Sequence, residues 1–267
     1  MRQILTIARK ELRGYFLSPV ALIFIGVFLV AVLFSFFWGG AFFRRNLADV
    51  RPLFDWLPLT LTLLVAAITM RLWSEEQRSG TLEVLLTLPV KIHRLVLGKF
   101  IAGLGLILVA LLLTVGLPIT VSFLGDLDWG PVFGGYLAAI LVAAAYLSIG
   151  LCISSATSNP LVALLLTFGA GICLYAVGSD TITSLAGNRL GEVLRDIGVA
   201  SRFDSIERGV VDLRDLVYYG SITLGFLFLN VVLLEAKRWG HGRPTRRRRW
   251  SATTAAILVC CNLVLFN

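Results

Sequence analysis

A chain of 267 residues with 57% hydrophobic and only 15% charged side chains lies far from the roughly 25% charge of a soluble domain, so the bilayer is its main solvent. A net charge of +8 raises nucleic acid as a partner. The basic residues, however, stand at the ends of apolar runs without the interleaved aromatics that stack bases, so they read as topology signals and no nucleic acid is expected.

In residues 1–19, Ile4, Leu5, Ala8, Leu12, Tyr15 and Phe16 recur at helical spacing opposite Arg2, Arg9, Lys10 and Arg13. This is the pattern of an amphipathic helix in a headgroup layer, with a basic flank that merely orients the next span as the alternative. Ser18 and Pro19 break it. Residues 20–235 then carry six spans, at roughly Val20–Trp38, Leu53–Leu72, Val96–Leu124, Val132–Ala156, Leu161–Gly178 and Leu216–Leu234, each near the ~20 residues of a crossing. The fold class expected is all-α and polytopic. The first apolar run exceeds signal-peptide length and is expected to stay in the membrane. Residues 236–250 form a basic linker, and residues 251–267 resemble the start of a seventh span, so the natural polypeptide is expected to continue past Asn267.

Orientation follows from the lysines and arginines in alternate loops. One side receives four before the first span (Arg2, Arg9, Lys10, Arg13), five around the second turn (Arg71, Arg78, Lys91, Arg94, Lys99) and seven after the sixth span (Lys237, Arg238, Arg243, Arg246 to Arg249). The other side receives eight: Arg44, Arg45, Arg51, Arg189, Arg195, Arg202, Arg208 and Arg214. The positive-inside rule makes the first side, with the N-terminus, cytoplasmic.

Between the second and third spans, Gly80 can end one helix and Thr81 can cap the next, Glu83 suits its first turn, and Pro89 stops it. A helix of about two turns is predicted within residues 75–89. Leu82, Leu85 and Leu86 give it an apolar surface. Tied to a span at each end, such a helix can carry a push from a soluble partner into the membrane; a plain interfacial loop helix is the alternative. The segment 179–215 carries two further helical patterns, Leu190, Val193, Leu194 and Ile197, then Phe203, Ile206, Val210, Leu213 and Val217. Its acids, Asp180, Glu192, Asp196, Asp204, Glu207, Asp212 and Asp215, interleave with arginines, which reads as a solvated face with local ion pairs.

No residue set points to catalysis, a bound cofactor or a metal. Cys152, Cys173, Cys260 and Cys261 lie in apolar runs without ligand spacing. His93 and His241 read as interfacial polar residues, and Ser154, Ser155 and Ser158 lack a nearby base. No G-x-x-x-x-G-K-[ST] loop occurs, so phosphates would have to be cradled by another subunit.

The string Glu76-x-x-x-Gly80-Thr81-x-Glu83-x-Leu85-Leu86-x-x-Pro89, followed by Leu97-Gly98-Lys99, resembles the coupling-helix signature of ABC-2-type transporter permeases. Two stretches extend the likeness: Ala8-Arg9-Lys10-Glu11-Leu12-x-x-Tyr15-Phe16-x-Ser18-Pro19, and Phe203-x-Ser205-Ile206-x-x-Gly209-Val210-Val211-Asp212-Leu213-Arg214-Asp215. Together they resemble the branch of gliding-motility-type and nitrous-oxide-reductase-maturation-type permeases. That resemblance implies a homodimer of six-span units in a bacterial inner membrane, with two ATPase subunits, holding ATP and Mg2+, docked beneath it. It implies that Glu75, Glu76, Gly80, Thr81, Leu82, Glu83, Leu85, Leu86 and Pro89 form the ATPase-coupling interface. It further implies that the helix carrying Arg9, Lys10, Glu11 and Arg13 lies along the inner surface among membrane lipids, and that Gly209, Asp212, Arg214 and Asp215 form an extracytoplasmic motif. The basic tail and the apolar run after Trp250 resemble the start of the gliding-type auxiliary protein.

A secondary transporter or channel is the competing class, and an intramembrane enzyme a third. Both call for ionisable groups within the spans, whereas Arg71 and Glu235 stand at span ends and Asp55 near an outer mouth.

Overall fold

The computed structural model describes residues 2–39, 49–185, 191, 198–207, 209 and 212–238. The expected seventh span, the linker beyond Arg238 and the Leu190 to Ile197 pattern lie outside these residues. Among the described residues every regular element is helical: α1 (Arg2–Leu17), α2 (Pro19–Phe34) with a π-helical turn at Ser35–Gly39, α3 (Arg51–Thr69), α4 (Ser74–Arg78), α5 (Thr81–Thr87), α6 (Ile92–Thr114), α7 (Gly116–Ser122), α8 (Trp129–Ala156), α9 (Pro160–Val177), α10 (Asp180–Leu185), α11 (Val199–Glu207) and α12 (Leu213–Arg238). Six stretches are long and apolar enough to cross a membrane, from Pro19–Gly39, Arg51–Arg78, Ile92–Ser122, Trp129–Ala156, Pro160–Val177 and Leu213–Arg238. The six expected spans are therefore present.

Local chemistry sets several boundaries. Pro19, Pro52 and Pro160 sit in first turns, where the missing N–H costs nothing. Asp128 and Asn159 cap α8 and α9, each side chain accepting from the backbone two residues on, at 3.0 Å. The third span is not the single helix expected over Val96–Leu124. It breaks after Thr114, because Pro118 has no N–H to donate back to Thr114, and resumes as α7. It also starts earlier, at Ile92. Its 31 residues run to about 46 Å, against a hydrocarbon core of about 30 Å. One end of α6 and α7 must therefore stand outside the apolar layer.

The bundle is organised around α8, which packs against α3, α6, α9, α11 and α12. Its inner face is built from small residues, Gly134, Gly135, Ala138, Ala139, Ala143 and Ala145, and small faces let helices approach without a hydrophobic drive between them. A methyl group at Gly134 would strike the carbonyl of Ile206 in α11, and one at Gly135 would come within 2.5 Å of the Phe54 ring in α3. Gly103 and Gly171 are close contacts of the same kind, against Leu147 and Thr62. Gly169, by contrast, faces open space. The outward faces of α2, α9 and α12 stay apolar and uncovered, with Leu22, Val30, Leu161, Leu165 and Leu224 all more than half exposed, as a lipid-facing surface requires.

Gly134→Ala should destabilise the protein by about 1–3 kcal/mol through overpacking against a backbone atom that has no rotamer to yield, while Gly169→Ala should leave stability unchanged. Thermal melts of the two detergent-solubilised variants check this, and equal melting temperatures would remove α11 from the packed core.

Candidate functional site

The charged cluster that ties the loops to the bundle centres on Lys99. Counted above as a loop cation, it lies instead two turns into α6 with its side chain only 3% exposed. A buried ammonium must spend its three donors on acceptors. Nζ reaches Glu76 Oε1 at 2.8 Å, the Leu72 carbonyl at 2.9 Å and Glu11 Oε1 at 3.5 Å, and it lies 4.8 Å from the centre of the Trp73 ring. One side chain thereby joins α1, the α3–α4 turn, α4 and α6. Burial, then repulsion from Glu11 and Glu76, raises the pKa of the adjacent Tyr15 phenol. Tyr15 Oη, Trp73 Nε1 and Glu76 Oε2 are buried here without a hydrogen-bond partner among the described residues.

A second set of bonds holds α4 from the other side. Ser154 Oγ, at the end of α8, accepts from the backbone of Trp73 at 3.1 Å and Ser74 at 3.2 Å. A hydroxyl from another helix thus satisfies the free N–H groups at the start of α4. Gln77 Nε2 donates to the Ser155 carbonyl at 2.9 Å, and Lys237 Nζ, at the end of α12, donates to the same carbonyl and to Gln77 Oε1, each at 2.6 Å. Nothing in the spacing of Ser154 marked it as a cap; its only signal was a pair of serines closing a long apolar helix.

The α4–α5 pair itself follows the expected punctuation with two corrections. Gly80 adopts a left-handed conformation, φ +72°, and so ends α4 at a position where only glycine is unstrained. Helix α5 has seven residues and stops at Thr87, with Leu88 extended before Pro89. Thr81, however, does not cap α5. It is the first helical residue, and its hydroxyl bonds to Ser79 Oγ and the Glu76 carbonyl. The apolar face also points inward. Leu82 and Leu86 are about 5% and 6% exposed and Leu85 packs against the same core, because a leucine stripe beside the bundle gains more by joining it than by facing water. What remains outward is Arg78, Gly80, Thr81, Glu83, Val84, Thr87, Leu88 and Pro89. Glu75 is exposed too, in an i,i+4 pair with Arg71 at 3.5 Å that contributes little in water. Glu76 is committed to Lys99.

Helix α1 lies along the first half of α6 in the same chain direction. Gln3 meets Arg94, Ile7 meets Gly98 and Leu12 meets Gly105, and Glu11 meets Lys99. The helix thus has a protein-facing side and an outer side: Ala8 and Glu11 face the protein, while Arg9, Lys10 and Arg13 stay exposed.

At the opposite end of the bundle, α11 seats Phe203 and Ile206 in the core, but Leu213, expected to continue that face, is exposed. The solvated-face reading also fails for Asp215, which pairs with Arg202 at 3.0 Å, with side chains only 7% and 12% exposed; Arg202 also lies over the Tyr218 ring. Asp212 caps α12 by accepting from Arg214 N at 3.1 Å, Gly209 takes φ +85°, and Arg214 is exposed. Glu207 is buried at the end of α11. Burial, reinforced by Asp55 and Asp204 and opposed by Arg51, pushes its carboxyl up to about 8. Among the described residues no group of His, Cys, Asp and Glu is arranged to hold a metal.

Residues 54–193, just over half of the chain, match the family described as ABC-2 family transporter protein. Among curated proteins none matches. The matched region runs from α3 to the segment after α10 and includes Trp73, Glu76, Lys99 and Ser154.

Replacing Lys99 by Met should leave the partly buried Glu76 and Glu11 without their cation and cost up to about 3 kcal/mol, whereas Lys99→Met combined with Glu76→Leu should recover much of that loss. Melting temperatures of the single and double variants decide it. Glu207 binds its proton more tightly folded than unfolded, so between about pH 4.5 and 8 the native state holds more protons and stability falls as pH rises. Glu207→Gln should abolish that fall, raising the melting temperature at pH 8 and changing it little at pH 5.

Proposed function

From the premise that this chain belongs to the ABC-2 transporter family, we propose that it is driven by separate cytoplasmic ATPase subunits that push on the outward face of α4 and α5. A member of this family is the membrane subunit of an ABC transporter. The observation that supports the coupling reading is the Lys99 cluster. A segment meant only to connect two spans has no need of a buried ion pair and a hydroxyl cap donated by α8, whereas a segment that receives force must not slip against its spans. The exposed residues Thr81, Glu83, Val84, Thr87 and Leu88 form the contact for the ATPase, and Leu82, Leu85 and Leu86 carry the displacement into the core. The uncommitted Oε2 of Glu76 and the neighbouring Tyr15 hydroxyl give that carboxylate a second partner when α4 moves relative to Lys99.

The basic count supports a cytoplasmic position for α1, α4 and α5. Two copies of the chain are expected to pair through the uncovered faces of α2 and α9, which flank a small apolar cavity of about 260 Å³ lined by residues such as Phe24, Phe28, Leu63, Phe168 and Ile172. The likeness of residues 8–19 and 203–215 to gliding-type and nitrous-oxide-reductase-maturation-type permeases supports that branch, an auxiliary extracytoplasmic partner, and either export of amphiphilic cargo or transmission of force. An ion-gradient transporter is disfavoured because Lys99, near the start of α6, already has two carboxylate partners.

Glu83→Arg or Val84→Asp should abolish stimulation of the partner ATPase with membrane insertion intact, and Gly80→Pro should do the same because proline cannot adopt a positive φ. Leu86→Asp should instead lower the melting temperature. Coupled ATPase turnover that is normal in the first three variants would overturn the assignment.

A further inference from the structure

The exposed side of α1 and the neighbouring strip of α6 enclose an open groove of about 1430 Å³. Its lining combines two chemistries: the cations Arg9, Lys10 and Arg13, all on α1, and the apolar residues Leu12, Phe16, Leu17, Ile101 and Val109 from both helices. Among the described residues none of the three cations has an ion-pair partner, although Glu11 beside them is paired with Lys99. Ile101 to Val109 advances about 12 Å along α6 at 1.5 Å per residue; with Ile7 at Gly98 and Leu12 at Gly105, Ile101 and Gly105 lie level with the cations and Val109 lies beyond them, toward the middle of the span. Leu17 is 84% exposed and Phe16 46%, at the end of α1 nearest the first crossing. Leu12 rests against Gly105, so the side chain of α1 and the bare backbone of α6 together close the floor at that point.

We propose that this groove is a binding site for one anionic phospholipid, with its phosphate on Arg9, Lys10 and Arg13 and an acyl chain laid along Ile101, Gly105 and Val109. Charge complementarity selects the head, because three unpaired cations at a membrane surface are each worth roughly fivefold in affinity for an anionic lipid. The apolar floor selects a chain-bearing ligand over a soluble phosphate. A bound lipid would brace α1 against α6 on the side opposite the Lys99 pair, so the site would stabilise the same contact from outside.

Native mass spectrometry of the full-length chain, titrated separately with phosphatidylglycerol, phosphatidylcholine and glycerol phosphate, tests this. The expected result is retention of phosphatidylglycerol over phosphatidylcholine, with glycerol phosphate failing to compete. Arg9→Gln, Lys10→Gln and Arg13→Gln together should weaken retention at least tenfold, the corresponding Lys–Arg exchanges should keep it, and Ile101→Trp, which fills the trough and spares the cations, should reduce it. Equal retention of the two lipids, competition by glycerol phosphate alone, no change in either the triple or the Ile101 variant, or cysteine cross-links from Leu5→Cys to a second copy across the groove would each overturn the proposal.

Discussion

A lysine ammonium removed from water inside α6 is the constraint around which the α1 end of this protein is arranged. An uncompensated charge at that depth would cost several kcal/mol, so the chain must deliver acceptors to Lys99. It does so from two segments distant in sequence: Glu11 in α1, and the 72–76 segment, which supplies both the Leu72 carbonyl and Glu76. Satisfying one cation therefore fixes the position of an N-terminal helix, an interspan turn and a span together. The pair is weak evidence for stability as such, because a packed apolar trio would serve as well. Its consequence is registry: Gln3 with Arg94, Ile7 with Gly98 and Leu12 with Gly105 fall into line once Glu11 has met Lys99.

The spans were legible because crossing hydrocarbon requires a run of apolar residues whose length hardly depends on tertiary context. Punctuation was legible where the physics is local. Gly80 needs a positive φ, and Pro89 cannot continue a helix. What escaped was every feature set by a neighbour from elsewhere in the chain. Lys99 sits among flanking cations that all look alike to a charge count, and only packing decides which one turns inward. Leu82 and Leu86 read as a surface because a two-turn helix with leucines at that spacing presents the same pattern to a partner as to its own core. Ser154 caps a helix some eighty residues away, and Asp215 finds Arg202 across a turn. No periodicity encodes either.

The inward turn of the α5 leucines changes how force would enter the bundle on the proposed reading. Were they outward, an ATPase would grip α5 through apolar contact and the helix would be bound mainly to the motor. With Leu82 and Leu86 seated in the core, the motor meets a mixed face of Thr81, Glu83 and Thr87 with only Val84 and Leu88 apolar, which favours fast and reversible engagement over permanent adhesion. The tight contacts lie instead between α5 and its own protein.

That asymmetry matters because a lever transmits displacement only if its coupling to the load is stiffer than its coupling to the drive. Exposed ion pairs such as Arg71 with Glu75 are soft and screened by salt. The bonds behind α4 are of another kind: Lys99 to Glu76, Ser154 to the Trp73 and Ser74 amides, and Lys237 to Gln77 and Ser155. Those to α6 and α8 are buried, the one to α12 is short but exposed, and the three run to separate spans. A push on α4 is thus divided among three spans and, through Glu11, reaches α1 as well. Because α8 packs not only on α4 but also against α3, α6, α9, α11 and α12, motion delivered to its Ser154 end cannot be absorbed locally; it must either be resisted by the close-packed small-residue face or shift α3, α9 and α11 together.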